Sequence, residues 1–163
     1  TMVDQQKNLA GVHDFTASEI IRYSQVVRQR INEKYPNLFV HPENETIKDV
    51  SHMLWTGNPL DPASSGRNAV FYGDKAIDRS PCGTGTSARM AQLHSKGKLK
   101  KGEDFIHESF IGSKFIGRVE EESTISGRPA IVPSIQGWAK IYGYNTITID
   151  EEDDPYAYGF QVI

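Results

Sequence analysis

Apolar residues recur at two different periods along this chain, and the two regimes divide it. Between Thr16 and about Tyr35, Ile20, Tyr23, Val27 and Ile31 stand at i, i+3, i+7 and i+11, with Arg22, Arg28, Arg30 and Glu33 on the other side. That spacing predicts an amphipathic helix. Thr16 and Glu19 form a capping box at its start, and the Tyr35-Pro36 step ends it. This helix is expected to pack on one face of a sheet and to carry no chemistry.

Most of the rest reads at the strand period. Thr46 to Trp55 shows an imperfect alternation of Ile47, Val50, Met53 and Trp55, enough for a strand or two. Asn68-Ala-Val-Phe-Tyr72 is a short strand stopped by the turn pair Gly73-Asp74, and Ala76-Ile77 restarts one. Phe105 to Val119 follows, broken at Gly112-Ser113, and then Pro129 to Pro133 and Trp138 to Ile149. In Thr146-Ile-Thr-Ile the alternation is strict, as in a half-buried strand. Met2-Val3-Asp4 reads as the end of a strand whose earlier part is absent, as if the chain were cut from something longer. The later strands come without helices between them. That argues against a doubly wound parallel sheet and for a mixed α+β fold with one outer helix and one wrapped by strands.

The second helix starts in Asp78-Arg-Ser-Pro-Cys-Gly-Thr-Gly-Thr-Ser-Ala-Arg-Met90 and spans about 81–96, fading near Gly97. Ser80 suits the N-cap and Pro81 the first helical position. Cys82 then falls in the first turn, a place that favours thiolates and receives anions. Gly83, Thr84, Gly85, Thr86, Ser87 and Ala88 are all small, which suggests close approach of other backbone or of a ligand. Arg89, Gln92 and Lys96 share one polar face.

Composition narrows the function. The 163 residues suffice for one domain, and 18 basic against 21 acidic side chains give −3, which leaves no nucleic-acid footprint. The run Lys96, Lys98, Lys100, Lys101 fits a solvated helix end. No apolar run approaches the ~20 residues of a membrane span. One cysteine cannot form an internal disulfide, so a reducing, cytoplasmic setting is expected. The same single cysteine with five scattered histidines shows no zinc spacing. Gly83-Thr-Gly-Thr lacks the Gly-Lys-Ser/Thr ending of a phosphate loop, and no Gly-x-Ser-x-Gly elbow occurs. Cys82 is therefore the central candidate, as a base, a nucleophile or a small buried hydrophobe, and Asp78 four residues earlier is a candidate for binding an ammonium group or for shaping a turn.

The stretch from Asp78 to Met90 resembles the second cysteine motif of the proline racemase family, which includes 4-hydroxyproline 2-epimerases and trans-3-hydroxyproline dehydratases. The likeness extends through His41-Pro-Glu-Asn, Gly97-Lys-Leu, His107-Glu-Ser with Gly112-Ser113, Asp154-Pro155 and Gly159-Phe160, nearly the whole chain. It implies cofactor-independent inversion at the α-carbon of an imino acid, with two cysteines facing each other across that carbon. By this resemblance Cys82 is one of the two acid/base groups. Gly83 and Thr84 supply N–H donors to the substrate carboxylate, Asp78 holds the ring ammonium, His52 assists near that nitrogen, and Tyr72 lines the pocket.

The implied fold is diaminopimelate epimerase-like: two pseudo-symmetric halves, each a β-barrel-like mixed sheet wrapped around a central helix. The first-half motif Met-Cys-Gly-His is absent, so residues 1–163 resemble the C-terminal half alone. Cysteine rather than threonine at 82 favours racemase or epimerase over dehydratase, with proline slightly ahead of 4-hydroxyproline as substrate. A chain with one of two cysteines is expected to be inactive by itself unless a homodimer brings two copies of Cys82 together. The alternative is a non-catalytic module that binds a small carboxylate or nothing. The expected partners are the imino acid and the missing N-terminal half.

Overall fold

The computed structural model describes residues 2–3 and 12–159. Asp4 and Phe160, which figure in the sequence expectations, lie outside them. Strand β1 (Met2–Val3) precedes a 3-10 turn at Val12–Asp14 and helix α1 (Ala17–Lys34). Then come β2 (Val40–His41), β3 (Asn44–Lys48), β4 (Met53–Gly57), β5 (Gly66–Tyr72) and β6 (Ala76–Ile77). Helix α2 (Gly83–Ser95) follows, and β7 (Asp104–Glu108), β8 (Lys114–Ile125) and β9 (Arg128–Gln136) complete the described elements.

Seven of the strands form one mixed sheet in the order β1-β4-β5-β7-β8-β9, with β6 paired to β5. Strand β1 runs parallel to β4 and β5 parallel to β7, while the other pairs are antiparallel. The described strands do not close into a barrel. The sheet instead curves around α2. Leu54 of β4 approaches Gly85, Asn68 of β5 bonds the Pro81 carbonyl, and His107 of β7 bonds Thr86. Gly117 of β8 lies against Met90, and Ile131 and Ile135 of β9 pack on the cluster of Met90, Leu99, Phe105 and Val119. Strands β4 and β5 are buried on both faces, and the period of two decides which helix each residue meets. Trp55 and Ala69 pack with Ile20, and Met53 and Phe71 pack against Ile21, Val27 and Ile31 of α1. Leu54 and Asn68 point the other way, at α2.

The capping box of α1 forms as expected: Thr16 N–H donates to Glu19 Oε2 at 2.8 Å, and Glu19 N–H to Thr16 Oγ1 at 3.3 Å. Its inward stripe is the buried Ile20 and Ser24 with the half-buried Val27 and Ile31. Tyr23 stands at the edge, against the ring of Phe15 at 5.5 Å. Ser24 earns its buried place by accepting the Trp55 indole N–H at 2.7 Å.

Two expectations are corrected. Helix α2 begins at Gly83 with Cys82 as N-cap, not with Ser80 capping and Pro81 as its first residue. Ser80 Oγ does accept a backbone N–H two residues on, that of Cys82 at 3.0 Å, but in a turn ahead of the helix. The strands expected between Trp138 and Ile149 do not form: residues 137–150 carry no regular structure and are exposed, with Ile147 at 83 %. Alternation prepares a strand, but the ladder needs a neighbouring edge, and no described strand supplies one here.

Candidate functional site

The turn from β6 into α2 is built by a relay of short polar side chains. Asp78 N–H donates to Val70 O at 2.8 Å, which keeps the strand end on the sheet. Its Oδ1 accepts from both Ser80 N–H and Ser80 Oγ–H at 2.9 Å. The Ser80 hydroxyl oxygen accepts from Cys82 N–H, and Cys82 Sγ accepts from Gly85 N–H at 3.3 Å. Cys82 takes φ 65° and ψ 121°, a region that side-chain-bearing residues rarely occupy. The sulfur thus caps the helix, while the N–H groups of Gly83 and Thr84, the first two of α2, point outward from its positive end.

A cavity of about 250 Å³ opens beside this cap. Cys82, Thr84 and Gly85 line one wall, Leu54 and Val70 the floor of sheet, and Asp49, Ser51 and His52 the opposite loop. Ser51 Oγ lies 2.8 Å from His52 Nδ1. His52 and Tyr72 stand opposite each other just beyond the β4–β5 ladder and stack at 6.2 Å, with their planes 15° apart.

Of the residues expected from sequence, the structure brings Cys82, Thr84 and His52 to one cavity. Gly83 lies between two lining residues, open to solvent with nothing within 4 Å of a β-carbon. Tyr72 reaches the cavity only through the His52 ring. Asp78 lies outside the lining, and both of its side-chain bonds fall on the Oδ1 that shapes the turn. Among the described residues no three His, Cys, Asp or Glu side chains converge as a metal site would need.

Sequence reasoning missed three contributions. Helix α1, expected to be without a role here, holds the His52 loop. Asn32 bonds the Val50 backbone through both its amide atoms, and Arg28 Nη1 donates to Ser51 O at 3.2 Å and Gly73 O at 2.6 Å. Asp49 and Ser51 join the lining. Behind Cys82 lies a buried polar cluster of Asn68, Thr86 and His107. Burial, with the nearby Arg89 charge, pushes the His107 imidazole down to about 3, so it is neutral near pH 7. An asparagine at an inward position of the apolar run Asn68–Tyr72 was the one sequence signal of that cluster.

Residues 1–161 match the proline racemase family, and the chain belongs to it. It is 60 % identical over 162 residues to a 4-hydroxyproline 2-epimerase of Spirosoma linguale, covering 99 % of this chain and 48 % of that protein. It is 62 % identical over 161 residues to a 4-hydroxyproline epimerase of Brucella ovis, covering 99 % and 47 %. The chain therefore spans about half the length of the curated relatives it matches. Its fold matches a crystal structure of a hydroxyproline epimerase from Agrobacterium vitis with bound trans-4-hydroxy-L-proline, at TM-score 0.72 and 30 % identity over 91 % of this chain and 43 % of that one. A probable proline racemase from Agrobacterium radiobacter K84, with bound carbonate, matches at TM-score 0.76 and 34 % identity over 99 % and 46 %.

Proposed function

We propose that this chain supplies one half of the active site of a cofactor-independent epimerase acting at the α-carbon of 4-hydroxyproline, with proline as the close alternative. The observation that carries this reading is the placement of the chain's single thiol at the N-terminus of α2, on the wall of a cavity that it shares with Thr84 and His52. The names of the relatives at 60–62 % identity favour the hydroxylated substrate over proline. Tyr72 stacks on His52 and orients its ring at the cavity wall.

The chemistry follows from what an α-proton needs. It is a very weak acid, and its removal drives negative charge onto the adjacent carboxylate. The outward N–H groups of Gly83 and Thr84 are fixed donors for that charge and need no reorganisation as it develops. Cys82, as thiolate, takes the α-proton from one face of the substrate and leaves a planar carbanionic intermediate. A second cysteine, supplied by the N-terminal half, returns a proton as thiol from the other face. Asp78 holds the ring ammonium through its Oδ2, while its Oδ1 stays bonded to Ser80. Within this scheme the thiol moves protons and forms no covalent bond.

One cysteine cannot serve both faces, so the 163-residue chain alone is expected to show no turnover. The test is chiral chromatography of trans-4-hydroxy-L-proline incubated with the full-length protein, with appearance of the cis-D epimer as readout. Cys82→Ser is expected to abolish it. Epimer formed at the wild-type rate by that variant would sink the proposal.

A further inference from the structure

The polar cluster behind the Pro81–Cys82 peptide has no part in the proton transfers, yet it is aimed at the cysteine's own backbone. Asn68 Nδ2 donates to Pro81 O at 2.7 Å. Thr86 Oγ1 lies 3.3 Å from the same oxygen and 2.9 Å from His107 Nδ1. The three side chains come from β5, α2 and β7, and each is no more than 1 % exposed.

Asn68 is held in this pose at a cost: its Oδ1 is buried without a partner. Flipping the amide would set two acceptor oxygens against each other at Pro81, so the donor decides the orientation. The next residue, Cys82, sits at φ 65°, where a side chain persists only if its surroundings over-determine it. Its N–H is tied to Ser80, and its sulfur to the N–H of Gly85, which lines the cavity. The Pro81 carbonyl is the anchor on the other side.

We propose that Asn68, Thr86 and His107 are positioning residues: together they clamp the Pro81 carbonyl and so hold Cys82 in its left-handed conformation with the sulfur on the cavity wall. The clamp matters for function only if Cys82 is the working group proposed above, but its test needs no turnover.

Because Cys82 is the only cysteine, the iodoacetamide alkylation rate of the 163-residue chain reports on this one thiol. Thr86→Val is expected to slow alkylation by about fivefold or more, since it frees the sulfur from the helix N-terminus. Thr86→Ser, which keeps the hydroxyl, should stay within about twofold of wild type. Leu99→Ala disturbs the same helix through its packing on Met90, at the end away from Pro81, and should also leave the rate within about twofold. An unchanged or faster rate in folded Thr86→Val, a Thr86→Ser rate as slow as the valine variant's, or an equal slowing in Leu99→Ala overturns the clamp. If Thr86→Val does not fold, wild-type hydrogen exchange decides. The Asn68 side-chain amide should be protected about a hundredfold or more relative to the exposed Asn145, and exchange as fast as Asn145 overturns it. Failure of the epimerase reading would show separately, as turnover that survives Cys82→Ser.

Discussion

Gly117 of β8 faces Met90 of α2 so closely that a β-carbon at 117 would lie 2.6 Å from the methionine sulfur. Met90 is fully buried among Leu99, Phe105 and Val119, so its side chain has little room to withdraw. Gly117→Ala should therefore destabilise the fold by about 1–3 kcal/mol, read as a lower urea midpoint. Gly83 is the internal contrast. It is helical, exposed and has open space around it, so Gly83→Ala should stabilise by about 0.5–1 kcal/mol while crowding the proposed carboxylate seat. A urea midpoint raised by Gly117→Ala would contradict the packing account.

Acid should weaken the fold through His107 before it reaches the carboxylates. The folded-state value of about 3 lies below the ordinary 6.5, so the folded chain refuses a proton that the unfolded chain accepts. Stability is then unaffected above pH 6.5 and falls as pH drops toward 3, at up to about 1.4 kcal/mol per pH unit. Glu19, bonded by the Thr16 backbone, and Asp61, bonded by Lys114, are held below their ordinary 4.5 and 3.8, so their losses come at lower pH. Urea titrations between about pH 7 and 5 isolate the histidine, and in His107→Phe its contribution should vanish from that window. A slope identical in the variant would assign the acid sensitivity elsewhere.

The parts of this fold that read directly from sequence are those fixed by near neighbours. Thr16 and Glu19 are three residues apart, and their capping box follows from chain geometry alone. Gly97, at φ 67°, ends α2 where the loss of periodicity placed the end. The start of α2 was misplaced because Ser80-Pro81 satisfies two local motifs at once, and the Asp78 carboxylate settles the choice by bonding Ser80 into a turn. Thr146-Ile-Thr-Ile failed for the opposite reason: alternation is local, but pairing depends on an edge that the described residues do not provide. Of the residues at the cavity, Cys82 was legible from the helix start, and Thr84 and His52 through the family resemblance. The Asn68–Thr86–His107 cluster was not, since its members are brought together by three elements far apart in the chain.

Arg67 and Glu108 form a buried pair at 3.7 Å, with side chains 6 % and 2 % exposed. Glu108 Oε2 also accepts the Asp61 N–H at 3.1 Å, and Arg67 donates to the carbonyls of Ser109 and Phe110. Removing one partner strands a buried charge, so Arg67→Met or Glu108→Leu alone should each cost about 3–5 kcal/mol. The double variant Arg67→Met, Glu108→Leu leaves no charge to strand and should lose clearly less than the two single variants combined. Chemical denaturation of the four proteins closes the cycle, and strict additivity would show that the pair is not coupled.

Cys82 sets stability against function in a way that substitution can separate. At φ 65° a β-carbon is penalised by about 1–2 kcal/mol, a cost that glycine escapes. The sulfur repays part of it by accepting the Gly85 N–H, but glycine at an N-cap is only a few tenths of a kcal/mol worse than a good capping side chain. Cys82→Gly should therefore be at least as stable as wild type. Cys82→Ala keeps the strain and loses the cap, so it should be the least stable of the three, about 1–2 kcal/mol below the glycine variant. If the thiol carries the α-proton, neither variant in the full-length protein will epimerise hydroxyproline. A stabilised but inactive Cys82→Gly would show that the strained residue is retained for its thiol. A glycine variant less stable than the alanine variant would show instead that the backbone at 82 is not under strain.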